Sequence, residues 1–355
     1  MINKTTPPVE GPVCPVPLPH RETIVMGHGS GGKMMNDLIK KTFLPPLDNS
    51  VLRAGDDAGL VELLPGAHVA ISTDCHVVWP LFFPGGDIGR LAVCGTVNDV
   101  AMLGATPQYL TAGFILEEGL NIDVLEQVVQ SMKIAADEAG VIIVAGDTKV
   151  VERGKADGLY ITTAGVGKVF PGVEIGGAHA KPGDVVILSG PIGDHGIAVL
   201  GARGELGFEA DIQSDVAPLN HMVAALLEAS NCVHVLRDPT RGGVASALNE
   251  IAAQSDVGIL LDESAIPVNP PVQAACELLG FDPLYVANEG KLIAIVAAED
   301  LDNAITAMRS NPYGQFATPI GEVIPSPSGR VLMKTTLGST RVVDVLAGEI
   351  LPRIC

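Results

Sequence analysis

The sequence predicts an α+β protein of two domains, and three observations support this class. The chain has 355 residues, enough for more than one hydrophobic core. Strand-like and helical stretches mix in both halves, without the regular alternation of a doubly wound sheet. The segment VFPGVEIGGAHAKPGD is rich in glycine and proline, and we place the domain boundary between Pro171 and Pro182 within it.

The first half contains elements whose ends the sequence marks. The segment DIGRLAVCGTVNDVAMLGA predicts a long apolar helix, on which Asn98 and Asp99 are unusual polar residues. In DVLEQVVQSMKIAADEAG, Asp123 and Glu126 fit a capping box, and an apolar stripe with helical spacing runs to Gly140. The segments VIIVAG and LYITTAGVG predict strands, and DTKVVERGKADG between them predicts a loop.

The second half predicts a further set of strands and helices. Strands are indicated in KPGDVVILSG, GILLDE and KLIAIVAAED, and helices in GDHGIAVL, HMVAALLEAS, DPTRGGVASALNEIAA, VQAACELLG and LDNAITAMRS. No core pattern follows residue 341. We therefore divide the chain into an N-terminal arm with a glycine loop (1–42), an N-terminal α+β domain (43–170), a C-terminal α+β domain (171–340) and a mobile tail (341–355).

Composition excludes several classes of function. A formal net charge of −19 argues against binding to nucleic acid or anionic membranes, which need clustered Lys and Arg. No apolar run reaches the roughly 18 residues of a membrane helix. The first residues, MINKTTPPVEGPVCPVPLPH, lack an apolar signal-peptide core and predict a mobile proline-rich arm. The nearest pair of its six cysteines is Cys75 and Cys94, so no zinc or disulfide framework is indicated and we expect a cytoplasmic protein.

The glycine loop GHGSGGK, from Gly27 to Lys33, loosely fits two phosphate-binding patterns. It satisfies G-x-G-x-x-G, but no strand–helix–strand unit surrounds it. It also approaches the P-loop pattern, although Met34 stands where Ser or Thr would ligate magnesium. A flexible turn and a backbone nest for phosphate are therefore equally supported.

Aspartates recur in polar or glycine-rich segments at the ends of apolar stretches. A single such Asp is usually a turn former, but the set indicates a nucleotide site that holds magnesium, which prefers carboxylates and substrate phosphates. Its members are Asp56, Asp57, Asp74, Asp99, Asp147 and Asp238.

Other polar residues lie beside glycines near predicted strands. Lys149 in GDTKVV and Glu289 in NEGK fit either a solvated surface or an active-site loop. His28, His76 and His195 show no paired spacing, so we do not assign them as metal ligands. Cys355 is the last residue of the sequence, a position where a thiol does not help to close a core.

Together these motifs resemble one family, the HypE hydrogenase maturation factors, which make the cyanide ligands of nickel–iron hydrogenases. The resemblance runs in order from about Glu22 to Cys355. It is carried by GHGSGGK, GDDA, PLFFPGGDIGRLAVCGTVNDVAMLGA, GFILEEGL, GDTKVVERG, GDHG, DPTRGG, NEGK and LPRIC. A selenophosphate synthetase would instead carry a reactive Cys or selenocysteine in the glycine loop.

The resemblance implies the PurM-like fold of the aminoimidazole ribonucleotide (AIR) synthetase and selenophosphate synthetase superfamily, with ATP and Mg²⁺ as cofactors and homodimers formed through the first domain. It implies metal ligation by Asp56 or Asp57, Asp74, Asp99 and Asp238. It implies ATP contacts from Gly29, Ser30, Gly31, Gly32, Lys33, Asp74, Asn98, Asp147 and Thr148.

The resemblance also gives Cys355 a role as substrate carrier. The carbamoyltransferase HypF would place a carbamoyl group on its sulfur, and ATP-dependent dehydration would convert that group to a thiocyanate. The cyanide would then pass to the HypC–HypD iron scaffold. We expect Glu289 to act as the base and Lys149 as its companion.

Two alternatives remain at this point. One is an ATP-dependent ligase or kinase of the same superfamily that acts on a small molecule. The other is a non-catalytic adaptor whose tail docks into a partner. An adaptor tolerates loss of the aspartates, a small-molecule enzyme tolerates loss of Cys355, and the dehydratase tolerates neither.

Overall fold

A computed structural model describes residues 24–29, 31–204, 211–346, 351 and 353–355. The proline-rich arm and Ser30 lie outside the described residues. The helices are α1 (Lys33–Leu38), α2 (Leu44–Leu47), α3 (Ser50–Ala54), α4 (Ile88–Met102), α5 (Ile122–Ala139), α6 (Asp194–Ala202), α7 (Asn220–Ala229), α8 (Gly243–Gln254), α9 (Pro270–Leu279) and α10 (Leu301–Arg309). The strands are β1 (Gly59–Leu64), β2 (Ala67–His76), β3 (Phe82–Phe83), β4 (Gly86–Asp87), β5 (Ala105–Glu117), β6 (Ile142–Val151), β7 (Leu159–Val169), β8 (Val185–Leu188), β9 (Val233–Arg237), β10 (Gly258–Asp262), β11 (Ile293–Val296), β12 (Thr318–Ile324), β13 (Arg330–Lys334) and β14 (Thr340–Val343).

Each half of the chain builds its own sheet, which confirms the predicted α+β class. The first sheet has the order β1-β2-β7-β5-β6, with only β5 and β6 parallel. The second has the order β14-β13-β10-β12-β8-β11-β9, with only β10 and β13 parallel. No helix in the described ranges is both long and apolar enough to cross a membrane.

Helix α4 joins the two domains. Asp87 caps its N-terminus, and the Asp87 carboxylate accepts a hydrogen bond of 2.7 Å from the backbone N–H of Gly89. The helix packs on α5 and the first sheet. At its C-terminal end, Ala101 and Met102 share a hydrophobic cluster with residues of the second domain, including Ile187. An apolar sequence is required here because the helix is covered on nearly every side.

Three local predictions need correction. Helix α5 begins after Asn121, whose side chain accepts from the backbone N–H of Asp123, so the capping box assigned to Asp123 is wrong. Strand β6 continues to Val151 because it pairs with β5 along its length, so the first residues of DTKVVERGKADG are strand rather than loop. Strand β14 pairs with β13 as far as Val343, inside the stretch that the sequence assigns to the tail.

One face of the first sheet is covered by α4 and α5, and no described part of the chain covers the other face. We call the uncovered side of strands β2, β7, β5 and β6 the open face. Its large apolar side chains are between 37% and 49% exposed, which is unusual for adjacent residues in the middle of a sheet. They are Ile71, Tyr109, Ile115 and Val166.

Candidate active site

Four of the predicted aspartates come together where the two domains meet, and we call them the carboxylate cluster. They come from the loop before β1, from β2, from α4 and from the end of β9, which explains why no local sequence spacing connects them. Each is close enough to affect the ionisation of others in the set. The members are Asp57, Asp74, Asp99 and Asp238.

Burial and mutual repulsion dominate the electrostatics of the cluster. Burial raises the pKa of Asp99 and of Asp238 well above the usual value, and the charges of neighbouring aspartates raise it further. Burial also raises the pKa of Asp57 to about 6, although Arg237 lies 2.8 Å away and opposes the shift. Such a set is stabilised by a cation.

The carboxylate cluster is better suited to an open magnesium site, completed by water and phosphate, than to a closed site built from protein ligands alone. In the part of the chain that the structure describes, no three Asp, Glu, His or Cys side chains are arranged to hold an ion by themselves. Mg²⁺ usually takes one or two carboxylates together with water and substrate phosphates, so an open set of acids suits it. Asp56 differs from its neighbour, because its Oδ1 accepts a hydrogen bond of 2.7 Å from the backbone N–H of Gly177. We therefore retain Asp57 as the candidate ligand of that pair.

Glu289 is a buried acid beside this cluster. It is only 4% exposed, and its Oε1 has no hydrogen-bond partner among the described residues. Burial raises the pKa of Glu289 well above its usual value, with further increases from Asp74 and Asp238. Its backbone N–H donates to Asp215 over 3.1 Å, and Asp215 pairs with Lys291 at 3.0 Å. The loop that carries Glu289 is thus fixed through its backbone by Asp215, while Oε1 of Glu289 stays available to accept a substrate proton.

The described tail residues lie against the same region. The backbone N–H of Val77 donates to the main-chain carboxylate oxygen of Cys355 over 3.0 Å. Cys355 and Arg241 both line a cavity of about 640 Å³ between the N-terminal segment, β2 and the tail. Negative charge at Cys355 is the largest influence that raises the pKa of Arg241, and Asp74 and Glu289 act in the same direction. Arg241 is therefore close enough to interact electrostatically with both the terminal cysteine and the buried acids.

The glycine loop packs on Arg241 and on the segment before the tail. Arg241 donates to the carbonyl of Gly29 over 3.3 Å, and the backbone N–H of Lys33 donates to the carbonyl of Leu346 over 3.0 Å. Gly31 has φ +73°, and a Cβ there would lie 2.8 Å from the Arg241 carbonyl oxygen. This close packing explains why glycine is needed at Gly31. A phosphate-binding role for the backbone of the loop stays a prediction.

Two groups of predicted site residues do not join the cluster within this chain. Asp147, Thr148 and Lys149 lie on the edge strand β6, three strand spacings or about 14 Å from the row of Asp74. The Lys149 ammonium donates to Asp147 over 3.0 Å, both side chains are about 70% exposed, and neither contacts Glu289.

Asn98 makes contacts between the two domains. Its Oδ1 accepts from the backbone N–H of Leu219 over 2.8 Å, and its Nδ2 donates to the Ala217 carbonyl over 3.1 Å. These bonds hold α4 to the chain before α7. The assignment of Asn98 to nucleotide binding stays a prediction.

Sequence reasoning missed several residues of the site. Arg241 lies inside the quoted motif DPTRGG, and His195 inside GDHG, but neither was given a role. Asp215 and Lys291 had no signal, because an isolated acid and base far apart in sequence do not reveal a buried pair.

Comparison with known proteins identifies the class of this fold and site. The family model described as AIR synthase related protein, N-terminal domain, matches residues 55–169, and the corresponding C-terminal domain model matches residues 181–334. The chain is thus a member of the AIR synthase related proteins, whose two domains correspond to the two sheets described above.

The particular family follows from closer relatives. Carbamoyl dehydratase HypE of Cupriavidus necator is 57% identical over 332 residues, covering 94% of this chain and 95% of that protein. A solved HypE in complex with ATP shares 49% identity with a TM-score of 0.79, over 94% of this chain and all of that one. A HypE–HypF complex contains a chain with 50% identity and a TM-score of 0.83, over 87% and 99% of the two chains. The protein belongs to the HypE carbamoyl dehydratase family of enzymes.

Proposed function

We propose that this protein catalyses the ATP-dependent dehydration of a carbamoyl group on its own Cys355, which gives a thiocyanate. The observation that carries the proposal is the position of Cys355 in a cavity with Arg241, whose charge is coupled to Asp74 and Glu289. A carrier thiol, a buried base and a cluster of acids are then within one region. The names of the relatives supply the reaction class.

The reaction divides into two balanced steps. The carbonyl oxygen of S–C(=O)–NH₂ attacks the γ-phosphorus of ATP, a proton leaves the nitrogen, and ADP departs with the electrons of the broken P–O bond. The product is an O-phosphorylated imidate. Removal of the remaining N–H proton then expels inorganic phosphate as the C–O bond breaks, which leaves S–C≡N. We assign the removal of protons from nitrogen to Glu289, whose unpartnered oxygen is available for it.

The cofactor sites follow from the same geometry. Asp57, Asp74, Asp99 and Asp238 would hold magnesium, which neutralises charge on the phosphates when it is bound. The glycine loop lies between Arg241 and the tail, so it can close over the triphosphate. Its contributing residues would be Gly29, Ser30, Gly31, Gly32 and Lys33.

The proposed partners follow from the carrier role. A carbamoyltransferase of the HypF type must reach Cys355, and the solved HypE–HypF complex of a relative supports that partner. For the transferase to reach Cys355, the tail must leave its position against the body of the protein, because Leu351 and Ile354 are buried there. A HypC–HypD scaffold would accept the cyanide, and we place the reaction in the cytoplasm.

We also propose a homodimer formed through the open face. Ile71, Tyr109, Ile115 and Val166 would be covered by a second copy. Asp147 and Lys149 point to that same face, opposite Gly113 and Ile115 on β5. Lys149 would then assist a Glu289 of the second copy, which its position in a single chain does not permit.

The test is the mass of the C-terminal peptide after incubation with ATP, magnesium, carbamoyl phosphate and the HypF-type transferase. We expect a carbamoyl group on Cys355 without ATP, and that group minus one water with ATP. Cys355→Ala should abolish both changes. An unmodified Cys355 in the presence of demonstrably active transferase would instead support the small-molecule enzyme or the adaptor.

A further inference from the structure

The tail contacts the body of the protein through an ion pair of Arg353 with Asp157 and through a series of main-chain hydrogen bonds. The carbonyl of Arg353 accepts from the backbone N–H of Trp79 over 3.2 Å and from the guanidinium of Arg203 over 2.5 Å. The carboxylate oxygen of Cys355 accepts from the Val77 N–H, as described above. Between them, the Ile354 carbonyl accepts from Nε2 of His195 over 2.6 Å. We call Val77, Trp79, His195 and Arg203 the tail seat.

His195 is the buried member of the tail seat, and its hydrogen bonds fix its tautomer. The residue is fully buried on α6, with its ring edge-on to Phe83 at a centroid distance of 5.5 Å. A carbonyl only accepts hydrogen bonds, so the proton must be on Nε2. Burial lowers the pKa of His195, so the ring is neutral and Nδ1 accepts from the Ser214 hydroxyl 2.8 Å away, while Ser214 Oγ itself accepts from the Val216 N–H over 3.1 Å. Every polar atom of this chain of bonds is paired.

The surroundings of His195 are shaped for the tail side chains. Leu351 and Ile354 are 8% and 5% exposed and belong to the main hydrophobic cluster. At Gly196, an added Cβ would lie 3.0 Å from Leu351 and 2.5 Å from Val286. The seat therefore combines an apolar pocket with donors directed at successive carbonyls, a pattern that binds an extended peptide.

We propose that His195, held by Ser214, is a positioning residue that fixes the tail so that the group on Cys355 faces Arg241 and Glu289. Contacts to the main chain do not depend on what the sulfur carries, so the seat accepts the free thiol, the carbamoyl group and the thiocyanate alike. The proposal rests on the proposed function for its catalytic consequence. The contacts of the tail seat themselves involve only residues of this chain.

The test measures how fast iodoacetamide alkylates Cys355 in the full-length protein without nucleotide, followed on the C-terminal peptide by mass spectrometry. His195→Phe removes the donor to Ile354, and loss of one buried hydrogen bond predicts a rise of about five- to tenfold in the rate. His195→Gln retains an amide donor near the position of Nε2 and should restore most of the protection. Ser214→Ala should give a smaller rise in the same direction. If His195→Phe does not fold, the Gln and Ala variants carry the test.

His221 offers a matched control, because its Nε2 also bonds a carbonyl, that of Glu138, at an exposed position away from the tail. His221→Gln should leave Cys355 alkylation unchanged, and Cys75 should react equally in all variants. Wild-type rates at Cys355 in folded His195→Phe would overturn the proposal. With ATP and preformed carbamoyl-Cys355, His195→Phe should lower the single-turnover rate while the KM for ATP stays constant. Failure of dehydration in the wild type would leave the alkylation result intact, so the two proposals are separable.

Discussion

Two buried carboxyl groups beside the tail show how local contacts decide the chemistry of a residue. Burial acts to raise the pKa of Asp215, but the adjacent Lys291 ammonium outweighs it and the pKa falls below the usual value. Glu289 lies one hydrogen bond away, has no ammonium partner, and has a raised pKa. Groups with pKa values driven apart in this way divide into a fixed anion and a proton acceptor near neutral pH.

Exchange of Glu289 for Gln should remove the base while keeping the shape of the side chain. We expect the dehydration rate to fall at least 10²-fold, the usual contribution of a general base, while loading of carbamoyl onto Cys355 continues. Glu277 on α9 is exposed and bonds only Gln273 among the described contacts, so Glu277→Gln is the control. Turnover retained in Glu289→Gln would remove the base assignment.

The same residue predicts the pH dependence of turnover. Glu289 must be ionised to accept a proton, and its pKa is raised, so activity should increase with pH through a limb above the ordinary Glu value of about 4.3. The measurement is the single-turnover dehydration rate from pH 4.5 to 8, at saturating ATP and magnesium. A rate that is constant down to pH 5 would contradict the raised pKa.

Thiol reactivity is a second prediction at this scale. Burial raises the pKa of Cys94 to about 12 and that of Cys276 to about 11, so neither is a thiolate at neutral pH. Cys75 is exposed on the open face. In native protein at pH 8, iodoacetamide should spare Cys94 and Cys276, whereas Cys75 should react only where the open face is uncovered in a monomer, and all three should react in guanidinium. Early labelling of Cys94 would show that α4 opens locally.

At the scale of elements, the sequence predicted the existence of helices better than their ends and roles. The stripe of α5 is buried as its spacing indicates, and it includes Val128, Met132 and Ala135. The sequence offers two candidate N-caps for this helix, Asn121 and Asp123, and in the structure Asn121 is the N-cap. Asn98 could not be assigned from α4 alone, because its partners lie more than a hundred residues away in the second domain.

The glycine loop gives a prediction at this scale. In Gly32→Ala the new Cβ would lie 2.5 Å from the carbonyl oxygen of Leu346, and this must displace the loop or the segment before the tail. Overpacking of this kind typically costs about 1–3 kcal/mol. We expect ATP to bind roughly tenfold more weakly, measured by calorimetry with magnesium present.

Lys41→Ala serves as the control for Gly32→Ala. Lys41 lies in the helical segment that follows α1 and pairs with Asp37 in an exposed i,i+4 contact, away from Arg241 and Leu346. Its removal should leave ATP affinity unchanged. Equal ATP affinity in Gly32→Ala and wild type would show that this contact does not position the loop.

At the scale of the whole molecule, the first sheet is incomplete as a single chain. Sequence patterns identify the strands but not which face stays uncovered, because alternation is the same for a sheet covered by helices and for one covered by another copy. The carboxylate cluster could be predicted from the resemblance, whereas the separation of Lys149 from Glu289 needed the strand order. The proposed dimer would account both for the uncovered face and for the distance between Lys149 and Glu289 within one chain.

Ile115→Arg tests the dimer directly. It places a charge among Tyr109, Val166 and Ile71 on the open face, where a partner would bury it unpaired. We expect light scattering to show a dimer for the wild type and a monomer for the variant at micromolar concentration, with loss of turnover. Leu278→Arg, at a residue 73% exposed on α9, should stay dimeric and active.

Mixed dimers decide whether Lys149 acts across the interface. Lys149→Ala and Cys355→Ser copies should each be inactive alone. If Lys149 serves the second copy, a heterodimer has one complete site, in which the intact Cys355 of one copy meets the intact Lys149 of the other. Random mixing makes about half of the dimers heterodimers. Each heterodimer has one complete site out of two, so about a quarter of wild-type turnover should return. No recovery in verified heterodimers would mean that Lys149 acts on the tail of its own chain or not at all, and the edge strand β6 would then have to move about three strand spacings to take part.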